Sequence, residues 1–324
     1  MIDEERLNKI HLHPIPHFQK IVGTLMLMPN YNLPGRKTEI VLENADNIPP
    51  EGGCIFVMNH TDRYNYWPFQ YQLWREKRGF TATWVKGKYY ENPYLALFMD
   101  LANNVPLPSK GYVITKDFQG KMERTPTADE YKAVKAYVDG KLSFEDAIRQ
   151  GGRDVAGFLV GPWKEGDSYA EDLEARFIRM MQRVVAITKE GLAERLNLLI
   201  FPQGTRSKRL TKGHTGAAQM ILHTEVPVIP VGCNGSDKAY PGNSPLSSGG
   251  RIVYRIGKPL TVKDALKRFR IKEPFVPFTD SAAKHQATFR RLTDYLMDRI
   301  NDLLDPEYQY GEDEERERGA DRFL

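Results

Sequence analysis

Cysteine is scarce in this chain. Cys54 and Cys233 are the only two among 324 residues, and each lies in an apolar, strand-like run without metal-ligand neighbours. That excludes a disulfide framework and a cysteine-rich metal site, and it reads both thiols as reduced core residues of a cytoplasmic protein. Long apolar runs are lacking too. No window approaches the roughly 18 to 20 residues that a membrane-crossing helix needs, and the opening MIDEERLNK is too charged for a signal peptide. Neither sign of charge dominates: 46 Lys and Arg stand against 42 Asp and Glu, a formal net charge of +4. The basic residues are spread along the chain, so no nucleic acid partner is implied. There is no internal repeat. What is present, 41% hydrophobic and 27% charged residues, is the composition of a globular protein able to bury a full core.

The order of the segments points to an α/β fold, a layered and mostly buried central sheet flanked by helices. Two strands, TEIVLENA from Thr38 and GGCIFVM ending at Met58, are joined by the turn-rich NIPPEGG. A helical stretch follows in DRYNYWPFQYQLWREKRG, then a strand in FTATWVKG, then the proline-rich VPLPSKG. From about Thr127 to Leu196 the pattern is mainly helical, with breaks at Gly151-Gly152 and around Val160 to Asp167. The apolar run NLLIFP reads as a buried strand, followed by a helix in GAAQMILHT and strands in VPVIPVGCN and RIVYRIG. Helices are expected around Val262 to Phe269 and Ala282 to Leu304. The expected organisation is an N-terminal segment 1–37, a main domain 38–260 with a helical insertion at about 120–172, C-terminal helices 261–305 and a mobile charged tail 306–324. In the first segment Phe18 to Met28, FQKIVGTLMLM, could enter a lipid headgroup region or pack on the protein's own core.

Two constellations carry chemistry. Asn59-His60-Thr61-Asp62-Arg63-Tyr64-Asn65 sits where an apolar strand ends and a helix begins, a position that opens into clefts on α/β scaffolds. Phe201-Pro202-Gln203-Gly204-Thr205-Arg206-Ser207 again follows an apolar strand. There Gly204 allows an unusual turn, and Thr205, Arg206 and Ser207 offer donors suited to a phosphate.

In their order, NHTDRYN, FPQGTRS and VPVIPVG resemble the glycerol-3-phosphate and 1-acylglycerol-3-phosphate (lysophosphatidate) acyltransferase family, over about Thr38 to Gly257. The resemblance implies an enzyme that moves a fatty acyl group from a thioester, on acyl-CoA or acyl carrier protein as co-substrate, to a hydroxyl of a lysophospholipid or glycerol-phosphate acceptor, with no bound cofactor or metal. His60 carries over as general base and Arg206 as the anchor for the acceptor phosphate, beside Gln203, Gly204, Thr205 and Ser207. Lys110 is the candidate for a further basic contributor. A lipid acceptor implies a membrane surface as partner and a peripheral position at its inner face.

Two positions depart from the family pattern. Asn65 stands where the family has the carboxylate that supports the histidine, and Gln203 where it usually has glutamate. Both keep shape and lose charge. Asp62 either substitutes for the missing carboxylate or caps the helix expected to begin near Arg63. The same losses leave open a catalytically weak relative that binds phospholipid or acyl thioester. If Asn65 occupies the family's orienting position, Asn65→Asp should leave the fold intact and raise transfer by stabilising the imidazolium. The insertion covers the cleft, takes the acyl chain, or is a peripheral elaboration. Lys208, Arg209 and Lys212 add positive field or are solvated surface charges. His11, His13 and His17 are close in sequence, but Pro14 and Pro16 intervene and no carboxylate cluster accompanies them, so no metal site is expected.

Overall fold

The computed structural model describes residues 2–311; residues 312–324, the larger part of the expected mobile tail, lie outside them. Seven strands, β1 (Thr38–Glu43), β2 (Ile55–Met58), β3 (Thr81–Lys86), β4 (Asn104–Leu107), β5 (Asn197–Ile200), β6 (Val228–Asn234) and β7 (Gly250–Ile256), form one sheet in the order β1-β7-β6-β2-β5-β3-β4. Pairing is parallel between β2 and β5, β2 and β6, β3 and β5, and β1 and β7, and antiparallel between β6 and β7. Every residue of β2, β5 and β6 is buried. That is why these strands read as unbroken apolar runs, since a parallel sheet covered on both faces has no polar side to show. The expected α/β layered sheet is the fold of this chain.

The helices are α1 (Glu4–Asn8), α2 (His17–Val22), α3 (Met28–Tyr31), α4 (Tyr66–Arg75), α5 (Pro93–Leu101), α6 (Lys110–Met122), α7 (Ala128–Val138), α8 (Phe144–Leu159), α9 (Tyr169–Ala193), α10 (Gly216–Thr224), α11 (Ser236–Ala239), α12 (Asp280–Ala283) and α13 (Gln286–Asn301). A π-helical turn, Gly23–Leu27, joins α2 to α3. The chain divides into two compact units. One comprises residues 1–10, 85–97 and 106–184. In it α6, α7 and α8 each start on a side-chain cap, from Ser109, Thr127 and Ser143, which supplies the acceptor that the first helical N–H groups lack. Phe118, Phe158 and Tyr169 are fully buried there, and Arg176 bridges Asp117 and Asp172, both at 2.8 Å. Gly152, at φ +77°, interrupts α8 where the sequence shows its glycine pair.

The other unit comprises residues 11–84, 98–105 and 185–324 and holds both motifs. Because β2, β5 and β6 run parallel, the loops leaving their C-terminal ends emerge at the same edge of the sheet, where α/β scaffolds place their sites.

Three expectations change. The proline-rich stretch contains β4, tolerated because an edge strand accepts a proline. The helix expected around Val262 to Phe269 is only a 3-10 turn, Lys267–Phe269. The first residues of the expected mobile tail are packed: Tyr308 is buried and hydrogen-bonded.

Candidate active site

β2 delivers Asn59 and His60. The Asn59 side chain continues the ladder beyond the strand: its Nδ2 donates to Cys233 O (2.9 Å) and its Oδ1 accepts the Cys233 N–H (2.7 Å). This amide pairing fixes the end of β2 against β6, so the next residue leaves the sheet in a set direction. That residue is His60. Its ring stacks on Phe201, the first residue after β5, at 4.2 Å between centroids and 24° between planes.

His60 Nδ1 lies 3.0 Å from Asn65 Oδ1, and Asn65 Nδ2 donates to Asn59 O at 2.9 Å. The second bond determines the first. A backbone carbonyl only accepts, so the Asn65 nitrogen must face Asn59 and its oxygen must face the ring. Nδ1 is therefore the protonated nitrogen and Nε2 carries the lone pair of the neutral imidazole. Asn65 is completely buried, and Tyr254 Oη donates to its backbone oxygen at 2.6 Å. An aspartate here would turn one carboxylate oxygen towards the Asn59 carbonyl. The amide nitrogen of Asn65 thus has an acceptor that a carboxylate at this position could not serve.

Asp62 follows neither sequence reading. Its Oδ1 accepts the Tyr64 N–H (2.8 Å) and its Oδ2 the Thr61 hydroxyl (2.9 Å), which makes it the brace of its own turn. The following helix begins only at Tyr66, with Asn65 at the N-cap position. Burial raises the Asp62 carboxyl pKa above its ordinary value.

The second motif meets the first directly. Ser207 donates its N–H to His60 O (2.9 Å), and His60 donates its own N–H to Gln203 Oε1 (3.0 Å). Gln203 Nε2 reaches Thr211 Oγ1 (3.0 Å). Buried and bonded at both ends, Gln203 spans the loop and holds it to the end of β2. Gly204 takes φ +66°, the left-handed conformation that its position in the motif implied. Thr205 and Ser207 are half-buried. Arg206 is exposed and makes no hydrogen bond or ion pair among the described residues. Lys208 pairs with Glu307 (3.1 Å), Arg209 Nη1 reaches Tyr310 O (3.5 Å), and Lys212 is exposed.

Lys110 belongs to the other unit, where it opens α6, pairs with Glu174 and lies over the Phe177 ring. Among the described residues no three His, Cys, Asp or Glu side chains gather as metal ligands would. Cys54 and Cys233 are buried thiols, as read from the sequence, and burial pushes Cys54 up to about 12. Sequence reasoning passed over Asn59 and Phe201 as individuals, although both lie within the quoted motifs. It had no signal at all for Tyr254 or Thr211, which act through contacts between distant segments.

Residues 170–234 match the family model described as Acyltransferase, a segment that runs from α9 to the end of β6 and includes the Phe201 to Ser207 loop. No curated protein matches the chain. Among solved structures the chain is similar to the 1-acyl-sn-glycerophosphate (LPA) acyltransferase PlsC from Thermotoga maritima, at 17% sequence identity and a TM-score of 0.41, over 91% of this chain and 83% of that one. Residues 170–234, with the Phe201 to Ser207 loop inside them, are thus similar to the acyltransferase family model.

Proposed function

We propose that the protein transfers a fatty acyl group from an acyl thioester to a hydroxyl of a lysophospholipid or glycerol-phosphate acceptor, with His60 as general base. The observation that carries this reading is the amide relay. Asn59 O orients Asn65, and Asn65 holds the Nδ1–H tautomer of His60 beside a loop that presents Arg206. His60 Nε2 takes the proton of the acceptor hydroxyl as its oxygen attacks the thioester carbonyl. The tetrahedral intermediate then collapses, the carbon–sulfur bond breaks, and the imidazolium returns the proton to the departing thiolate. No acyl-enzyme forms. Arg206 takes the acceptor phosphate through its planar guanidinium. Asn65 orients the ring without offsetting its positive charge, so this base operates without the usual electrostatic support.

Lipid is reached from the water side. Among the described residues no helix is long and apolar enough to cross a membrane. The rod of α2, the π turn and α3 leaves Ile21, Leu25 and Met26 exposed, and this is the segment we assign to the headgroup region of a membrane surface. Acyl-CoA and acyl carrier protein are the two donors to compare.

The test is transfer of labelled acyl groups by the purified protein from acyl-CoA, and from acyl carrier protein, to a panel of lysophospholipids and glycerol 3-phosphate. His60→Ala should abolish the product, a loss of at least about a hundredfold for a missing general base. Equal turnover by His60→Ala would overturn the assignment. Acceptor binding without turnover in the unaltered protein would identify it as a binding relative instead.

A further inference from the structure

The loop that follows β5 is held from a second side, by the segment after α13. Leu210 donates its N–H to Tyr308 O (2.8 Å), Arg209 reaches Tyr310 O, and Lys208 pairs with Glu307. Tyr308 is in turn fixed from below. Only 1% exposed, it donates its hydroxyl to Asp237 Oδ1 (2.6 Å) and accepts the Gly235 N–H (3.2 Å), while the Asp305 N–H goes to Asn234 Oδ1 (2.7 Å). The turn that receives these bonds is itself rigid. Gly235 adopts φ +83°, and a Cβ there would stand 2.4 Å from Arg251 O, so only glycine fits. Tyr308 thereby couples the loop leaving β5 to the turn leaving β6, the strands on either side of β2.

Resting on the reading of Arg206 as phosphate anchor, we propose that residues 305–310 form a strap that positions the phosphate-binding loop, with Tyr308 as its positioning residue. An exposed guanidinium on a short loop binds an anion well only when the loop is ordered beforehand, because ordering on binding subtracts from affinity. Gln203 upstream and the Ser207 N–H just downstream tie the loop to His60 at the end of β2, and the bonds at Lys208, Arg209 and Leu210 tie the rest of the downstream side to the strap. Arg206 stands between the two attachments.

The test uses binding of glycerol 3-phosphate to the full chain, with acyl-CoA binding measured beside it and Arg206→Ala as control. Tyr308→Phe removes the hydroxyl and keeps the buried ring. It should weaken glycerol 3-phosphate binding by at least about fivefold, since the hydroxyl's bonds to Asp237 and from the Gly235 N–H are both lost, leave acyl-CoA binding within about twofold, and speed amide exchange at Leu210. Asp237→Ala removes the same bond from its other end and needs no change in the core. It should give a loss no larger than that of Tyr308→Phe, because the Gly235 bond remains, with no loss beyond that of Tyr308→Phe in the double variant and with recovery in Asp237→Asn. Unchanged glycerol 3-phosphate binding in both single variants would overturn the proposal, as would equal losses for both ligands or an unaltered protein that binds glycerol 3-phosphate no better than Arg206→Ala. Because the readout is binding, a protein without turnover still decides the role of the strap.

Discussion

At the scale of single residues, the two departures from the family motif become intelligible once their partners are known. Asn65 and Gln203 both replace a carboxylate by an amide, and in both the amide nitrogen has an acceptor: Asn59 O for one and Thr211 Oγ1 for the other. A carboxylate at position 65 would confront a carbonyl at hydrogen-bond distance in a fully buried place, with no donor to offer unless it took up a proton. We therefore expect Asn65→Asp to destabilise the fold by about 1 to 3 kcal/mol at neutral pH, the range for a buried polar group left unsatisfied, and to lower acyl transfer. The sign of its pH dependence follows. Burial beside a carbonyl raises the folded-state pKa of the new carboxyl, so the penalty is small below its unfolded value of about 4 and grows as the pH rises through the folded value. Denaturant melts of the variant and parent at several pH values would measure it. A variant as stable as the parent at pH 7, with raised transfer, would show that the carboxylate is accommodated and that the amide merely weakens an aspartate site.

At the scale of elements, the rod through α2, the π turn and α3 separates packing from surface function. Gly23 faces Trp74 of α4 so closely that a Cβ would lie 2.8 Å from the indole. Leu25, two residues on, is 73% exposed. Leu25→Ser should leave the melting temperature unchanged within about 1 °C, since a surface substitution away from packing shifts stability by no more than about 0.5 kcal/mol. It should reduce sedimentation with anionic vesicles severalfold if this face enters the headgroup region. Equal sedimentation of variant and parent would assign membrane contact elsewhere. The same rod shows what sequence patterns convey. Its apolar run announced an element without saying which side chains face outwards, because a π turn shifts the phase of the helix at Gly23. The buried strands β2, β5 and β6 were legible because four or more consecutive apolar residues leave few alternatives. β4 was not, because two prolines speak against a strand unless it is known to lie at an edge. The motif loops were visible as strand-end loops, and Gly204 takes the left-handed conformation that its place in the motif implied. The clamp of Asn59 on Cys233, 174 residues apart, and the strap built on Tyr308, whose hydroxyl partners lie 71 and 73 residues away, depend on contacts for which one sequence carries no pattern.

At the scale of the molecule, two units with their own cores should open independently, and the acid sensitivity of one of them can be traced to a helix start. Glu130 closes the capping box of α7. Its carboxylate accepts the Thr127 N–H (2.7 Å) and both terminal nitrogens of Arg124, and the guanidinium beside it holds its pKa down to about 2. A carboxyl group held below its unfolded value contributes stability that is complete above about pH 4.5 and is lost as the pH falls through the folded value. Arg124 is 38% exposed, so solvent weakens the ion pair, and the charge adds only modestly to the cap that the side-chain oxygen at position 130 makes. Glu130→Gln, which keeps the capping oxygen and removes the charge, should therefore speed amide exchange through α6, α7 and α8 by about twofold at pH 7 while β2, β5 and β6 keep their protection. The difference between variant and parent should shrink steadily between pH 4.5 and pH 2. Exchange followed by mass spectrometry across that range tests both halves of the expectation. Acceleration in the sheet strands equal to that in the helices would mean that the chain opens as one cooperative body. A difference that persists unchanged at pH 2 would mean that the Glu130 carboxylate is not what ties α7 to its start.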